Sequence, residues 1–194
     1  MGDAMKYLNG HEQERFLASA RSISDKHYFA ARFLLETGLR ASELIPLRVK
    51  DVYGKRSFMA RTLKQRCRYN CGPRKGQKIP VYREIPLRQL TIEYITKRYE
   101  CNNPDDYLLP SQKGGHISYK RLYAMIYDVM KSADLDYNLH SLRHTFAMNL
   151  KDTDCYIIII KDLMGHSKLD STSCYLHANR EEKFLAVNSM KVKI

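Results

Sequence analysis

The sequence predicts a mostly α fold with a small antiparallel β-sheet, an α+β domain. Three observations carry this. Apolar residues recur at helical spacing through most of the chain. Only residues 57–63 and 81–87 have strand texture, and they flank a polar stretch with Asn70, Gly72, Pro73 and Gly76. A length of 194 residues suits one compact domain with a well-buried core.

The elements follow in order. Glu12, Phe16 and Leu17 open a first helix. Tyr28, Phe29, Phe33 and Leu34 lie at helical spacing in a second, which stops at Gly38 as a C-cap. Ser42-Glu43-Leu44 starts a short helix, so Arg40 sits in a tight corner between two helices. From Val49 to Leu87 the texture changes, and the two strands form a hairpin with a long basic tip. Residues 88–100 are helical, with Leu90, Tyr94 and Ile95 apolar, until Asn102-Asn103-Pro104 breaks the pattern. Residues 118–133 and 141–150 are further helices. Asp154 is expected to cap a helix that runs to Met164 and closes at Gly165, with Tyr156 in the core. Asp170 or Ser171 is expected to cap a short helix carrying Tyr175. The tail from Arg180 is weakly amphipathic through Phe184, Leu185 and Val187. There is no internal repeat and no low-complexity segment.

Charge narrows the function. Thirty-three Lys+Arg against 21 Asp+Glu gives +12, a surplus that calls for an anionic partner such as nucleic acid. Its distribution is more telling. Residues 52–83 contain no carboxylate but hold Lys55, Arg56, Arg61, Lys64, Arg66, Arg68, Arg74, Lys75, Lys78 and Arg83. Such a surface repels itself, and a polyphosphate would neutralise it and release counterions. Arg61, Arg66, Arg68, Arg74 and Lys78 are the expected nucleic-acid contacts.

Five cysteines, Cys67, Cys71, Cys101, Cys155 and Cys174, show no disulfide spacing and read as reduced thiols of a cytoplasmic protein. Cys67 and Cys71 have half of a metal-site pattern, but no second ligand pair lies near, so no metal is expected. The longest apolar run, residues 156–160, is too short for a membrane span.

Four separated pieces carry the chemistry. They are Thr37-Gly38-Leu39-Arg40-Ala41-Ser42-Glu43-Leu44, the basic hairpin, Leu139-His140-Ser141-Leu142-Arg143-His144-Thr145-Phe146-Ala147, and Leu163-Met164-Gly165-His166-Ser167 with Tyr175 nine residues after His166. In this order and spacing they resemble the catalytic domain of the tyrosine recombinases, the phage-integrase family, over nearly the whole chain.

The resemblance implies a tyrosine-recombinase catalytic-domain fold over residues 5–178, with residues 179–194 a tail docking on a neighbouring subunit. It implies roles as well. Arg40 and Arg143 match the two family arginines, His140 the histidine before the second, His166 the later histidine and Tyr175 the nucleophile. Glu43 matches the acid that supports the first arginine. A hairpin lysine completes the set, Lys64 at the end of the first strand or else Lys75 near the turn. The partners implied are double-stranded DNA and further copies of the chain, as a tetramer, with no cofactor and no membrane. Relatives usually carry an N-terminal helical domain that clamps the other side of the DNA, so the resemblance implies either a catalytic fragment or a naturally short enzyme, and the Met1-Gly2-Asp3 start favours the fragment.

The chemistry explains the residue types. A phosphodiester repels nucleophiles, and charge grows on its non-bridging oxygens in the transition state. Two guanidiniums supply paired donors to those oxygens. Tyrosine, with an ordinary pKa of about 10, must lose its proton to attack, which nearby cations and a histidine favour. A lysine ammonium protonates the leaving 5′ oxygen. The 3′-phosphotyrosine conserves the bond energy, so rejoining needs neither ATP nor metal. His144 is expected to face structure, and His116 and His177 the surface. The alternatives are a type IB topoisomerase, an inactive DNA-binding module and a ribonuclease. The last would not need Tyr175.

Overall fold

The computed structural model of the chain describes residues 6–68, 78–153 and 155–165, with the backbone alone for 63–68 and 78–81. Helix α1 (Gly10–Ile23) starts at a reciprocal cap: the Asn9 side chain accepts from the Glu12 amide and the Glu12 carboxylate from the Asn9 amide. Ser24 ends α1 and its side chain caps α2 (Asp25–Thr37). Phe29, Ala30, Ala31, Phe33, Leu34 and Leu35 of α2 are all buried. That apolar surface is too wide for a single stripe, so α2 is the central helix with others around it.

Helix α2 ends at Gly38 in the left-handed region, φ 61°. A Cβ at Gly38 would lie 2.2 Å from the Phe146 ring, so glycine alone closes the helix here without displacing that ring. The chain turns at once into α3 (Ala41–Leu44) and then α4 (Val49–Val52). Helix α4 opens the stretch in which the sequence texture changes, ahead of the first strand. Its start is fixed by Arg48 N donating to Asp51 Oδ2 at 2.8 Å and by the amides of Val49 and Lys50 bonding to the carbonyls of Asp106 and Pro104.

Strands β1 (Ser57–Arg68) and β2 (Lys78–Pro86) form a two-stranded antiparallel sheet. Both are longer than the sequence texture predicts. The apolar alternation stops near Leu63, but the backbone ladder continues through Arg66–Pro80 and Arg68–Lys78. Ladder hydrogen bonds do not need apolar side chains. The register shifts between Thr62 and Arg66, so Leu63, Lys64 and Gln65 fall between successive pairs. Phe58, Ala60, Thr62, Arg83 and Ile85 face inward and are buried, while Met59, Arg61, Tyr82 and Glu84 face out.

Helix α5 (Gln89–Tyr99) follows, with Ile95 and Tyr99 buried but Leu90 exposed. Helices α6 (Tyr119–Ser132) and α7 (Leu139–Lys151) are capped by the side chains of Ser118 and Asn138. Helices α1, α6 and α7 pack on α2. Stacked rings of Phe29, Phe33 and Phe58, with centroids 5.3 and 5.8 Å apart, join α2 to the sheet. Helix α8 (Ile157–Met164) packs on α7 and β2. The expected cap, Asp154, lies outside the described residues, and Tyr156 occupies the cap position. Tyr156 is 80% exposed, a correction to its expected place in the core: the helix begins after it, and Ile160 and Met164 turn inward instead. Gly165 closes α8 in the left-handed region as predicted, φ 59°. Among the described residues no helix is long and apolar enough to cross a membrane.

Candidate functional site: arginines around a buried carboxylate

The left-handed turn at Gly38 allows α3 to begin four residues after α2 ends. That corner makes Arg40 the N-cap of α3 and puts Glu43 one turn below it. Arg40 N donates to Glu43 Oε2 and Arg40 Nη1 to Glu43 Oε1, both at 2.9 Å. The Glu43 side chain has no solvent exposure.

Arg143 comes from the second turn of α7, about a hundred residues later, and is 2% exposed. Its Nη1 donates to the Gly38 carbonyl at 2.7 Å, and its Nη2 to the Met164 carbonyl. Nη1 also lies 3.9 Å from Glu43 Oε2. The fold thus brings the two predicted arginines to one carboxylate.

A third arginine joins them. Arg83 donates from Nη2 to Glu43 Oε2 at 2.7 Å and from Nη1 to Glu43 Oε1 at 3.1 Å. Sequence reasoning placed Arg83 among the phosphate-facing cations of the hairpin, and the structure corrects this. The neutralising carboxylate comes from α3, outside the acid-free stretch. A period-2 signal was available: Arg83 shares a strand face with Ile85, and the residue opposite it, the fully buried Ala60, is small enough to leave it room.

The electrostatics follow. Burial alone would push the Glu43 carboxyl up. The Arg83 fork and charge, the Arg40 amide and the Arg40 charge outweigh burial and hold it below the usual carboxylate range. Three guanidiniums around one carboxylate leave a local excess of two positive charges. A buried surplus of this kind suits an anion.

His140 is exposed on the first turn of α7, and its ring meets the half-buried His144 edge to face at 4.6 Å. His144 was expected to face structure, and it does. Burial, then the charges of His140 and Arg143, lower its pKa to about 4. Arg61 lies on the exposed outer face of β1. Lys64, Arg66, Arg68 and Lys78 are placed by backbone only, Lys64 at the register shift. Arg74, Lys75, His166, Tyr175, Cys71 and the tail lie outside the described residues, and Cys67 is placed by its backbone in β1. Among the described residues there is no group of His, Cys, Asp and Glu that could hold a metal ion.

A mostly helical domain thus gathers arginines from a helix corner, a hairpin strand and a late helix around one buried carboxylate. The sequence profile of the Phage integrase family matches residues 6–182, and the chain belongs to that family. A tyrosine recombinase of Pseudothermotoga lettingae is 35% identical over 172 residues, 86% of this chain and 54% of that protein. The tyrosine recombinase XerH of Helicobacter pylori is 27% identical over 189 residues, 90% of this chain and 49% of that protein. The chain therefore spans about half the length of such relatives. The crystal structure of XerA recombinase superposes with a TM-score of 0.74 at 22% identity, covering 99% of this chain and 66% of that one. XerH bound to its difH substrate in a pre-cleavage complex gives 0.73 at 23% identity, covering 97% and 55%. The catalytic domain of bacteriophage HP1 integrase gives 0.66 at 20% identity and is covered to 95%, as is this chain. These likenesses establish the fold.

Proposed function

We propose that this chain is the catalytic domain of a site-specific DNA recombinase, which cleaves and rejoins strands through a 3′-phosphotyrosine on Tyr175. The observation that carries the reading is the convergence on Glu43 of Arg40 and Arg143, which lie about a hundred residues apart in sequence.

Arg40 and Arg143 bind the non-bridging oxygens of the scissile phosphate, and Glu43 keeps Arg40 oriented. The Tyr175 phenol loses its proton to His140 or His166 and attacks phosphorus. A P–O bond to tyrosine forms and the P–O5′ bond breaks. The 5′ oxygen takes its proton from a hairpin lysine, Lys64 in our reading and Lys75 otherwise. The backbone register shift at Lys64, which takes it out of the regular ladder, favours this choice. A 5′ hydroxyl of a second strand then attacks the phosphotyrosine and returns the phenol. One diester replaces another at each step, so no metal or nucleotide supplies energy.

Arg61, Arg66, Arg68, Arg74 and Lys78 bind the duplex backbone. Residues 179–194 dock on a neighbouring copy through Phe184, Leu185 and Val187, giving a tetramer on two DNA sites, and the protein works on DNA in the cytoplasm. Deleting 183–194 is expected to weaken assembly on DNA. The relatives solved with bound DNA support a DNA partner here.

The test is a nicked suicide duplex incubated with the protein in EDTA and run on a denaturing gel beside Tyr175→Phe. A covalent protein–DNA band that survives EDTA and is lost in Tyr175→Phe is expected. A band that persists in Tyr175→Phe means another nucleophile. Supercoil relaxation without exchange between two sites would transfer the reading to a topoisomerase.

A further inference from the structure

Arg83 is a buried charge for which the reaction just described has no task. Its side chain is 8% exposed, on the inner face of β2 opposite Ala60. It reaches three elements at once. Nη1 and Nη2 fork onto Glu43 of α3 at 3.1 and 2.7 Å. Nη1 also donates to Thr62 Oγ1 of β1 at 2.9 Å, and Nε to the Leu163 carbonyl of α8 at 2.8 Å.

The α8 contact is the unusual one. The last carbonyls of a helix have no intrahelical partner and stand at the negative end of its dipole. Two arginines take successive carbonyls there, Arg83 that of Leu163 and Arg143 that of Met164. Gly165 makes the room. A Cβ on it would lie 3.1 Å from Cδ and Nη1 of Arg83, and its own φ of 59° disfavours a side chain. The chain leaving Gly165 leads to His166 and, ten residues beyond the glycine, to Tyr175.

We propose that Arg83 is a positioning residue of the cleavage reaction, which fixes Glu43 behind Arg40 and pins the end of α8 to the hairpin, so that the phosphate-binding arginines and the end of α8 keep one geometry. This rests on reading the chain as a DNA-cleaving domain. Arg83 occupies both Glu43 oxygens from one side, which keeps the carboxylate on Arg40 rather than drawn onto Arg143, 3.9 Å away. A lysine could hold Glu43 by charge but could not also reach the Leu163 carbonyl with a second fixed donor.

The test compares Arg83→Met and Arg83→Lys with the parent chain. Hydrogen exchange read by mass spectrometry is expected to speed up at residues 40–44 and 163–165 in both, with α1 and α6 unchanged. Affinity for a pool of nicked duplexes with randomised cores, measured by fluorescence anisotropy, is expected to stay within about twofold, since Arg83 does not face solvent. Single-turnover covalent capture from the same pool is expected to fall about 100-fold, the scale of an ångström of misplacement. Should Arg83→Met not fold, Arg83→Lys decides alone. Unchanged exchange at both segments, full capture by Arg83→Lys, or a loss of affinity that accounts for the whole drop in capture would overturn the proposal. A parent chain that captures no DNA would sink the DNA-cleaving reading instead, and the exchange rates would still decide whether Arg83 couples the two segments.

Discussion

The Gly38 carbonyl accepts a 2.7 Å hydrogen bond from Nη1 of Arg143 across 105 residues of sequence. The turn that places Arg40 therefore also places Arg143. Gly38→Ala tests how rigidly it does so. A left-handed alanine costs about 1–2 kcal/mol, and its methyl must displace the Phe146 ring, for a total of about 2–4 kcal/mol. Urea unfolding checks this, and adding Phe146→Leu should recover part of the loss. A Gly38→Ala midpoint equal to the parent's would show that the turn tolerates a side chain.

Glu43 is the counter-charge for two buried guanidiniums, so Glu43→Gln should destabilise by about 3–5 kcal/mol even though the shape is kept. The acid limb follows from the depressed carboxyl. A group whose folded pKa is lowered adds stability above its unfolded value, near 4.5, and loses it as pH falls through the folded value. Parent and Glu43→Gln should therefore converge in stability below pH 4.5. A gap of constant size from pH 7 down to the acid transition would rule this out.

His144 acts in a different window. Its folded pKa is lowered to about 4 from 6.5, so the folded state resists the proton that the unfolded chain accepts. Stability from this group is full above pH 6.5 and declines as pH falls towards 4, by an amount on the order of 2 kcal/mol. Thermal melts at pH 7 and pH 5 should differ less in His144→Gln than in the parent. Equal pH dependence in both would assign the loss to another group.

The lysine is distinguishable by its leaving group. If Lys64 protonates the 5′ oxygen, Lys64→Ala should slow cleavage by about 100- to 10,000-fold. A 5′-bridging sulfur leaves as thiolate with a pKa of about 8.5 and needs no proton, so that substrate should be cut at nearly the parent rate. The same pattern in Lys75→Ala alone would move the role there. Sulfur rescue in neither variant would take the general acid out of both positions.

The sequence made some of this site legible and hid the rest for a physical reason. Gly38, Arg40 and Glu43 lie within six residues, and a local turn rule predicts their corner. Gly165 was equally local. Tyr156 opens an apolar run, which predicts a place inside the helix, but it is the cap residue and the helix starts one residue on. Arg83 failed differently. Acid-free composition describes a segment, whereas the charge on Arg83 is answered from 40 residues away by Glu43. Only strand alternation distinguished it from its exposed neighbours.

That distinction gives a measurable prediction. Each cation that neutralises a phosphate steepens the fall of log affinity against log salt by about 0.9 on duplex DNA. Arg61 is exposed on the outer face of β1. Arg61→Ala should weaken binding to any duplex and flatten that slope by about one counterion, as should Arg66→Ala and Arg68→Ala. Arg83→Met should leave the slope unchanged, because its charge is already matched inside the fold by Glu43. Anisotropy titrations between about 50 and 200 mM salt resolve a change of this size. A flattened slope in Arg83→Met would put its guanidinium on DNA and return it to the group of hairpin cations. An unchanged slope in Arg61→Ala would mean that the outer face of β1 does not meet the duplex, and that the charge surplus of the chain is spent on the residues around the tip.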